Sequence, residues 1–198
     1  GGDCTWTVCV PSKALLRVAA LIDGLRHADA FGLTHAGGEV NLPRVMERIR
    51  GVQAEIYQRE SPDALGSEGI TVIPGQGNFG SPHQLIAGPM TITARRFIIA
   101  TGAGPIVPPI PGLDCVPHYS YETIWDLPTL PRRLLVLGAG PIGCELAQAF
   151  RRLGSGVLLV DIADRPLPLE EPEASEVLRA RLVGEGVELH LNAGVERV

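Results

Sequence analysis

The stretch Gly138-Ala139-Gly140-Pro141-Ile142-Gly143 constrains the fold more than any other part of the chain. It follows an apolar run, Leu134–Leu137, that reads as a strand, and it opens an amphipathic helix over Pro141–Leu153. A second strand, Val157–Val160, then runs into Asp161. In that setting each glycine has a task. Gly138 permits a tight turn, Gly140 lets the backbone approach a pyrophosphate, and Gly143 lets helix and strand pack closely. The start of the helix offers N–H groups and partial positive charge to phosphates. Asp161 falls where a carboxylate binds adenosine ribose hydroxyls and repels a 2′-phosphate, which favours NAD, while nearby Arg165 keeps NADP open. The residues alone also admit a glycine-rich turn with no ligand and an ordinary exposed Asp.

A helix over Pro172–Gly184 and a strand over Val187–Leu191 extend the pattern to β-α-β-α-β, which implies a parallel sheet with right-handed crossovers. Upstream the texture differs. Apolar residues at helical spacing predict helices over Pro11–Phe31 (Leu15, Leu16, Ala19, Ile22, Leu25) and Leu42–Glu60 (Val45, Ile49, Val52, Ile56). Strands are expected at Ile70–Ile73, Gln84–Ala87, Met90–Ala94 and Phe97–Ala100, with a turn at Gly88-Pro89. Pro105 to Pro111 reads as an extended connector. The boundary between two units should fall near Leu127–Pro131, giving residues 1–128 and 129–198.

Composition narrows the partners. A chain of 198 residues with 45% hydrophobic and 20% charged residues can bury a core. Its net charge of −5 argues against nucleic acid or an anionic membrane surface as a partner. No apolar run approaches the roughly 20 residues needed to span a bilayer. Four unevenly spaced cysteines do not form a secreted disulfide scaffold, so a cytoplasmic setting is expected. No metal site is expected, since the one close pair, Cys4 and Cys9, has the wrong spacing for zinc. The chain opens at Gly1-Gly2-Asp3 and closes at Val198, and is expected to be a piece of a longer protein.

In one regular helix, side chains five positions apart diverge by about 140°, too far for a disulfide. Pairing of Cys4 with Cys9 therefore requires Cys4 in irregular chain and a helix that starts near Cys9–Pro11. A thiol at such a start has a stabilised thiolate, and Lys13 adds positive charge one turn on. Two structural cysteines remain the alternative. On the helix after Gly140, Glu145 projects only about 60° from Ile142 on the apolar side. It needs a partner there, unless it faces solvent on the flank.

The run Gly1-Gly2-Asp3-Cys4-Thr5-Trp6-Thr7-Val8-Cys9-Val10-Pro11-Ser12-Lys13 resembles the G-G-x-C-x-x-x-x-C-x-P-S-K motif of class I pyridine nucleotide–disulfide oxidoreductases. It looks most like mercuric-reductase-like and dihydrolipoamide-dehydrogenase-like members. Gly75-Gln76-Gly77-Asn78-Phe79 and Ala100-Thr101-Gly102-Ala103 are similar to two further family segments, and the resemblance covers essentially the whole chain in order. It implies an α/β, Rossmann-like FAD/NAD(P)-binding fold: a partial FAD domain followed by the first half of the NAD(P) domain with its parallel sheet. Electrons would pass between a nicotinamide nucleotide and a small-molecule, disulfide or metal-ion substrate through a Cys4–Cys9 redox disulfide.

Catalytic roles would fall to Cys9 against the flavin, Cys4 as interchange thiol, Lys13 near the flavin edge, and Glu145 paired with Lys13. FAD would meet Gly2, Asp3, Lys13, Gln76, Gly77, Thr101 and Gly102. The nicotinamide dinucleotide would meet Gly138, Gly140, Pro141, Ile142, Gly143 and Asp161. The resemblance also implies a homodimeric full-length protein. Its FAD glycine loop and C-terminal His–Glu pair would lie outside this chain, so His27, His35, His83, His118 and His190 take no catalytic role. The isolated piece is expected to bind FAD poorly, to lack turnover and to expose apolar surface. Val8 stands where the motif usually has Gly, so a left-handed backbone there would carry a cost. The competing expectation is a non-catalytic NAD(H)-binding module with inert cysteines.

Overall fold

The computed structural model describes residues 2–34 and 37–198; His35 and the first glycine of the cysteine motif lie outside them. Helix α1 (Asp3–Trp6) is a single turn, and α2 (Cys9–Arg26) follows it directly. After α2 comes a short 3-10 turn, Ala28–Phe31, closed by Gly32 at φ 78°. The single helix expected over Pro11–Phe31 is thus earlier at its start and broken at His27. Helix α3 (Leu42–Glu60) has the expected bounds. The Asn41 side chain accepts from Arg44 N at 3.1 Å to start it. Ser61 ends it and caps α4 (Pro62–Ser67) by accepting from Ala64 N at 3.2 Å.

Strands β1 (Gly77–Ser81), β2 (Gln84–Ala87) and β3 (Met90–Thr93) form an antiparallel sheet, with Gly88-Pro89 as the expected turn between β2 and β3. β1 was not anticipated, because Gly77 and Gly80 interrupt any alternating pattern. Ile70–Ile73 and Phe97–Ala100, expected as strands, join no sheet among the described residues, and Ile70 N donates instead to Leu65 O at 3.0 Å. A run of apolar residues becomes a strand only where a neighbour takes its N–H and C=O groups. Ile98 and Ile99 stay 95% and 72% exposed.

The last third is β4 (Arg133–Leu137), α5 (Pro141–Leu153), β5 (Gly156–Val160), α6 (Pro172–Gly184) and β6 (Glu188–His190). The three strands are parallel in the order β4-β5-β6, as the alternation predicts.

One buried cluster runs from α3 through α2 and α5 to this sheet. It joins Leu42, Met46 and Ile49 to Leu15 and Ala19, then to Ala147, Phe150 and Leu153, then to Val157 and Leu159. α5 is buried on more than one side, because it lies between the sheet and α2. Of the apolar positions expected on α5, Ala149 and Leu153 are buried and Leu146 packs against the core, whereas Ile142, at the helix start, is 40% exposed; Cys144, Ala147 and Phe150 are buried as well. On α3 the buried stripe is Leu42, Met46, Ile49 and Gln53, with Val45, Val52 and Ile56 at its margin.

Two polar clasps flank the α2–α5 packing. Lys13 pairs with Glu145 near both helix starts. Near both ends Asp23 faces Arg152 at 3.8 Å and Arg181 at 3.0 Å. Arg152 in turn makes two hydrogen bonds of 2.7 Å to Glu185, which also accepts from Gln148 at 2.9 Å. Because starts pair with starts and ends with ends, α2 and α5 run in the same direction.

Burial alone would raise the Glu185 carboxyl, but hydrogen bonds and charge from Arg152 and Arg181 outweigh it and hold its pKa below the ordinary value. A depressed carboxylate adds stability above its unfolded pKa of about 4.3 and loses it as pH falls through the folded value. The Glu185→Gln variant should therefore be less stable than wild type at pH 7 and match it more closely below about pH 4. Urea unfolding across that range measures the difference.

Candidate active site: a disulfide and a glycine loop at one end of two parallel helices

Cys4 and Cys9 are bonded, with Cα atoms 4.6 Å apart. Cys4 sits in the one-turn helix α1 rather than in irregular chain, and the break that permits pairing is at Thr7–Val8. Thr7 N and Val8 N both donate to Asp3 O at 2.8 Å, which closes α1 before α2 begins. Val8 has φ −115°, outside the left-handed region, so the expected cost of a β-branched residue there does not arise.

Cys9 is the first residue of an 18-residue helix, where the unpaired N–H groups and the helix dipole favour a thiolate once the bond opens. The other two cysteines differ from this pair. Cys115 is exposed. Cys144 is buried, and its Sγ donates to Ala139 O at 3.2 Å. Burial, with the Asp161 and Glu145 carboxylates nearby, pushes its thiol up to about 11.

Lys13, one turn into α2, and Glu145, one turn into α5, form the ion pair that the sequence anticipates. The side chain of Lys13 is 62% exposed and that of Glu145 34%, so this pair sits at the rim of the helix contact.

The glycine loop has the anticipated shape. Gly138 takes φ +101°, a conformation L side chains rarely adopt. A Cβ on Gly143 would stand 1.8 Å from Gly138 O, so helix and strand approach too closely for any side chain. A Cβ on Gly140 would meet nothing within 4 Å, so the loop presents open space in front of its backbone. The N–H groups of Ile142 and Gly143, in the first turn of α5, have no carbonyl one turn back to bond.

Asp161 differs from the simple expectation of a side chain free for a ribose. One of its oxygens accepts from Ala139 N at 2.5 Å and the other from Ala163 N at 2.7 Å. It ties the end of β5 to the glycine loop, and each oxygen keeps a lone pair for a further donor. Arg165 donates to Pro168 O at 3.1 Å.

Among the residues anticipated for FAD, Asp3 and Gly102 come together. Gly102 has φ +73°, and a Cβ there would stand 2.4 Å from Asp3 Oδ2. Gly2, at φ +80°, begins α1. Thr101 is exposed beside Gly102. Gln76 and Gly77 lie at the start of β1, and no hydrogen bond among the described residues links them to the cysteine helices. His27 and His83 bond backbone carbonyls of Asp23 and Ala94, and His118 that of Val116; these and His190 are exposed. Among the described residues no cluster of His, Cys, Asp or Glu could hold a metal ion, and no helix is long and apolar enough to cross a membrane.

Side chains that the sequence did not single out hold the disulfide turn. Gln53, Tyr57 and Glu60 share one face of α3 and all touch α1, and Trp125 reaches it from the segment before β4. The only sequence signal was a glutamine within the apolar stripe of α3.

The family model described as pyridine nucleotide-disulphide oxidoreductase matches residues 1–198. The mercuric reductase of Lysinibacillus sphaericus is 34% identical over 198 residues, 100% of this chain and 36% of that protein. The dihydrolipoyl dehydrogenase of Bacillus subtilis (strain 168) is 30% identical, over 100% of this chain and 44% of that protein. Among solved structures, the HOCl-induced flavoprotein disulfide reductase RclA from Escherichia coli superposes with a TM-score of 0.78 at 30% identity. That match covers 100% of this chain and 42% of the other. The chain thus spans under half the length of these relatives.

Replacing Gly143 with Ala should lower stability by about 1–3 kcal/mol, because the new methyl must displace the loop or the helix. Chemical denaturation measures the loss. Gly140→Ala, facing open space, should be close to neutral in the same measurement.

Proposed function

The chain belongs to the pyridine nucleotide-disulphide oxidoreductase family, and from that premise we propose that it carries the redox disulfide and part of the nicotinamide-dinucleotide site of an FAD-dependent enzyme. In this reading residues 1–128 belong to the FAD-binding unit and 129–198 to the dinucleotide-binding unit. The observation that carries it is the shared direction of α2 and α5. The Cys4–Cys9 disulfide starts one helix, the glycine loop starts the other, and Lys13–Glu145 links them beside both.

The residues present fit both groups. Open space in front of Gly140, with the first N–H groups of α5 beside it, suits a pyrophosphate. The close approach of Gly102 to Asp3 leaves a surface without side-chain bulk beside the disulfide turn, where FAD would lie. FAD supplies the exchange of an electron pair between a nicotinamide and a disulfide, which no side chain here performs alone. Asp161, at the end of β5, supports NAD over NADP through its remaining lone pairs, while Arg165 is engaged by Pro168 O.

The chain's own chemistry lies in the two cysteines. After two-electron reduction, the start of α2 holds Cys9 as a thiolate, with Lys13 kept in place by Glu145. The Cys4 thiolate attacks one sulfur of a substrate disulfide, forming a mixed disulfide and expelling the other sulfur as a thiolate. Cys9 then attacks Cys4, which restores the Cys4–Cys9 bond and releases the second substrate thiolate. The substrate gains two electrons and the pair loses two. The substrate class we infer is a disulfide or dithiol or a thiophilic metal ion, in line with the similarity to mercuric reductase and dihydrolipoyl dehydrogenase. We extend to the full-length protein the homodimer that the family resemblance implies.

In the FAD-loaded full-length protein, NADH without oxygen should make two thiols per chain available to alkylation, mapped by mass spectrometry to Cys4 and Cys9. A long-wavelength thiolate-to-flavin absorption band should accompany them and be lost in Cys9→Ser. Binding of NADH with neither signal would leave only a nucleotide-binding module with inert cysteines.

A further inference from the structure

Between the two cysteines the chain turns out of α1 and into α2, so the carbonyls of Thr5, Trp6 and Thr7 are left where α1 ends. All three are met by side chains from distant parts of the chain. The Gln53 amide nitrogen donates to Thr5 O at 3.2 Å and to Trp6 O at 2.7 Å. The Trp125 indole donates to Thr7 O at 2.9 Å, and also to Tyr121 O at 2.8 Å. Gln53 is 7% exposed and Thr5 1%, so the bond between them is buried, while those to Trp6 O and Thr7 O are half-buried. The same face of α3 adds two contacts. Thr5 Oγ1 donates to Glu60 Oε2 at 2.5 Å, and the Trp6 and Tyr57 rings lie 5.1 Å apart between centroids.

None of these contacts involves either sulfur. When a disulfide opens, the tether between its ends is lost, and the turn relaxes unless something else holds it. Here the backbone between the two sulfurs is fixed from α3 on one side and from the segment before β4 on the other. We propose that Gln53 and Trp125 are positioning residues of the redox turn. They keep the Cys4 thiol within bonding reach of Cys9 after reduction, and so set the thiol–disulfide equilibrium of the pair. This rests on the reading of Cys4–Cys9 as a redox pair. The reaction concerned is Cys4–S–S–Cys9 plus two thiols, giving two cysteine thiols and one small-molecule disulfide.

Removing a donor takes away the side-chain partner of these carbonyls and frees the turn. The dithiol, which has no covalent tether, gains more from that freedom than the disulfide does. The sign follows: either loss favours the dithiol and slows reclosure.

The test uses the FAD-loaded full-length protein equilibrated in glutathione buffers, with thiols trapped by alkylation and counted by mass spectrometry. Gln53→Met keeps side-chain bulk and removes the amide; Trp125→Phe removes the indole N–H together with part of the ring, so its stability is measured alongside. Each should shift the equilibrium toward the dithiol by about tenfold, close to 30 mV for a two-electron couple. The remote Leu182→Ala change should lower stability and leave the equilibrium where it is. Folded variants with the wild-type equilibrium, or an equal shift in Leu182→Ala, would overturn the positioning role. A wild-type disulfide that opens in no buffer would instead sink the redox reading beneath it.

Discussion

Everything in this structure depends on α2 lying along α5 in the same direction. A helix start carries unpaired N–H groups and partial positive charge, and parallel packing puts two such starts at one end. One bears a disulfide, the other a glycine loop. Were the helices antiparallel, the two sites would be separated by a helix length, roughly 1.5 Å for every residue. The Lys13–Glu145 pair and the Asp23–Arg152–Glu185 cluster flank that packing, while Leu15, Ala19, Ala147 and Phe150 are fully buried within it.

The two clasps differ in kind. Lys13–Glu145 lies at the rim, where solvent screens it, so its contribution to stability is small and its value is in placement. The side chains of Arg152 and Glu185 are only 13% and 11% exposed, and each meets more than one partner. A network of that depth is costly to break at one member, since the remaining charges lose their compensation. It also joins α2 to α5 and α6 together, so the disulfide-bearing helix is anchored to the parallel-sheet part at its far end. Gln53 and Trp125 anchor the same helix system at its near end.

Several site features were legible as sequence because a short local pattern specifies them. The G-x-G-x-x-G loop between an apolar strand and an amphipathic helix sufficed for Gly138 and Gly143, whose backbone demands are local. The motif from Gly2 to Lys13 carried the disulfide and its helix start. Glu145 was marked by the family resemblance, which implied its pairing with Lys13. Other features were not legible, since they depend on what lies opposite. Gln53 looks like an ordinary polar residue until α1 is packed over it. Trp125 looks like a core aromatic until its indole is seen to reach Thr7 O, 118 residues away. Asp161 was identified by position, but its bonds to Ala139 N and Ala163 N required the fold.

By itself the sequence determined the helices α2, α3, α5 and α6, the parallel β-α-β-α-β order, the cysteine motif and the glycine loop. Each of these follows from periodicity, capping or a steric demand among near neighbours. Only the tertiary structure decided which apolar runs became strands, leaving Ile70–Ile73 and Phe97–Ala100 outside any sheet among the described residues because a strand requires a partner beside it. It also decided that Val8 stays out of the left-handed region, and that three carbonyls between two cysteines are satisfied from afar. The physical reason is the same throughout: hydrogen bonds and burial between residues distant in sequence are fixed by packing, which no local pattern encodes.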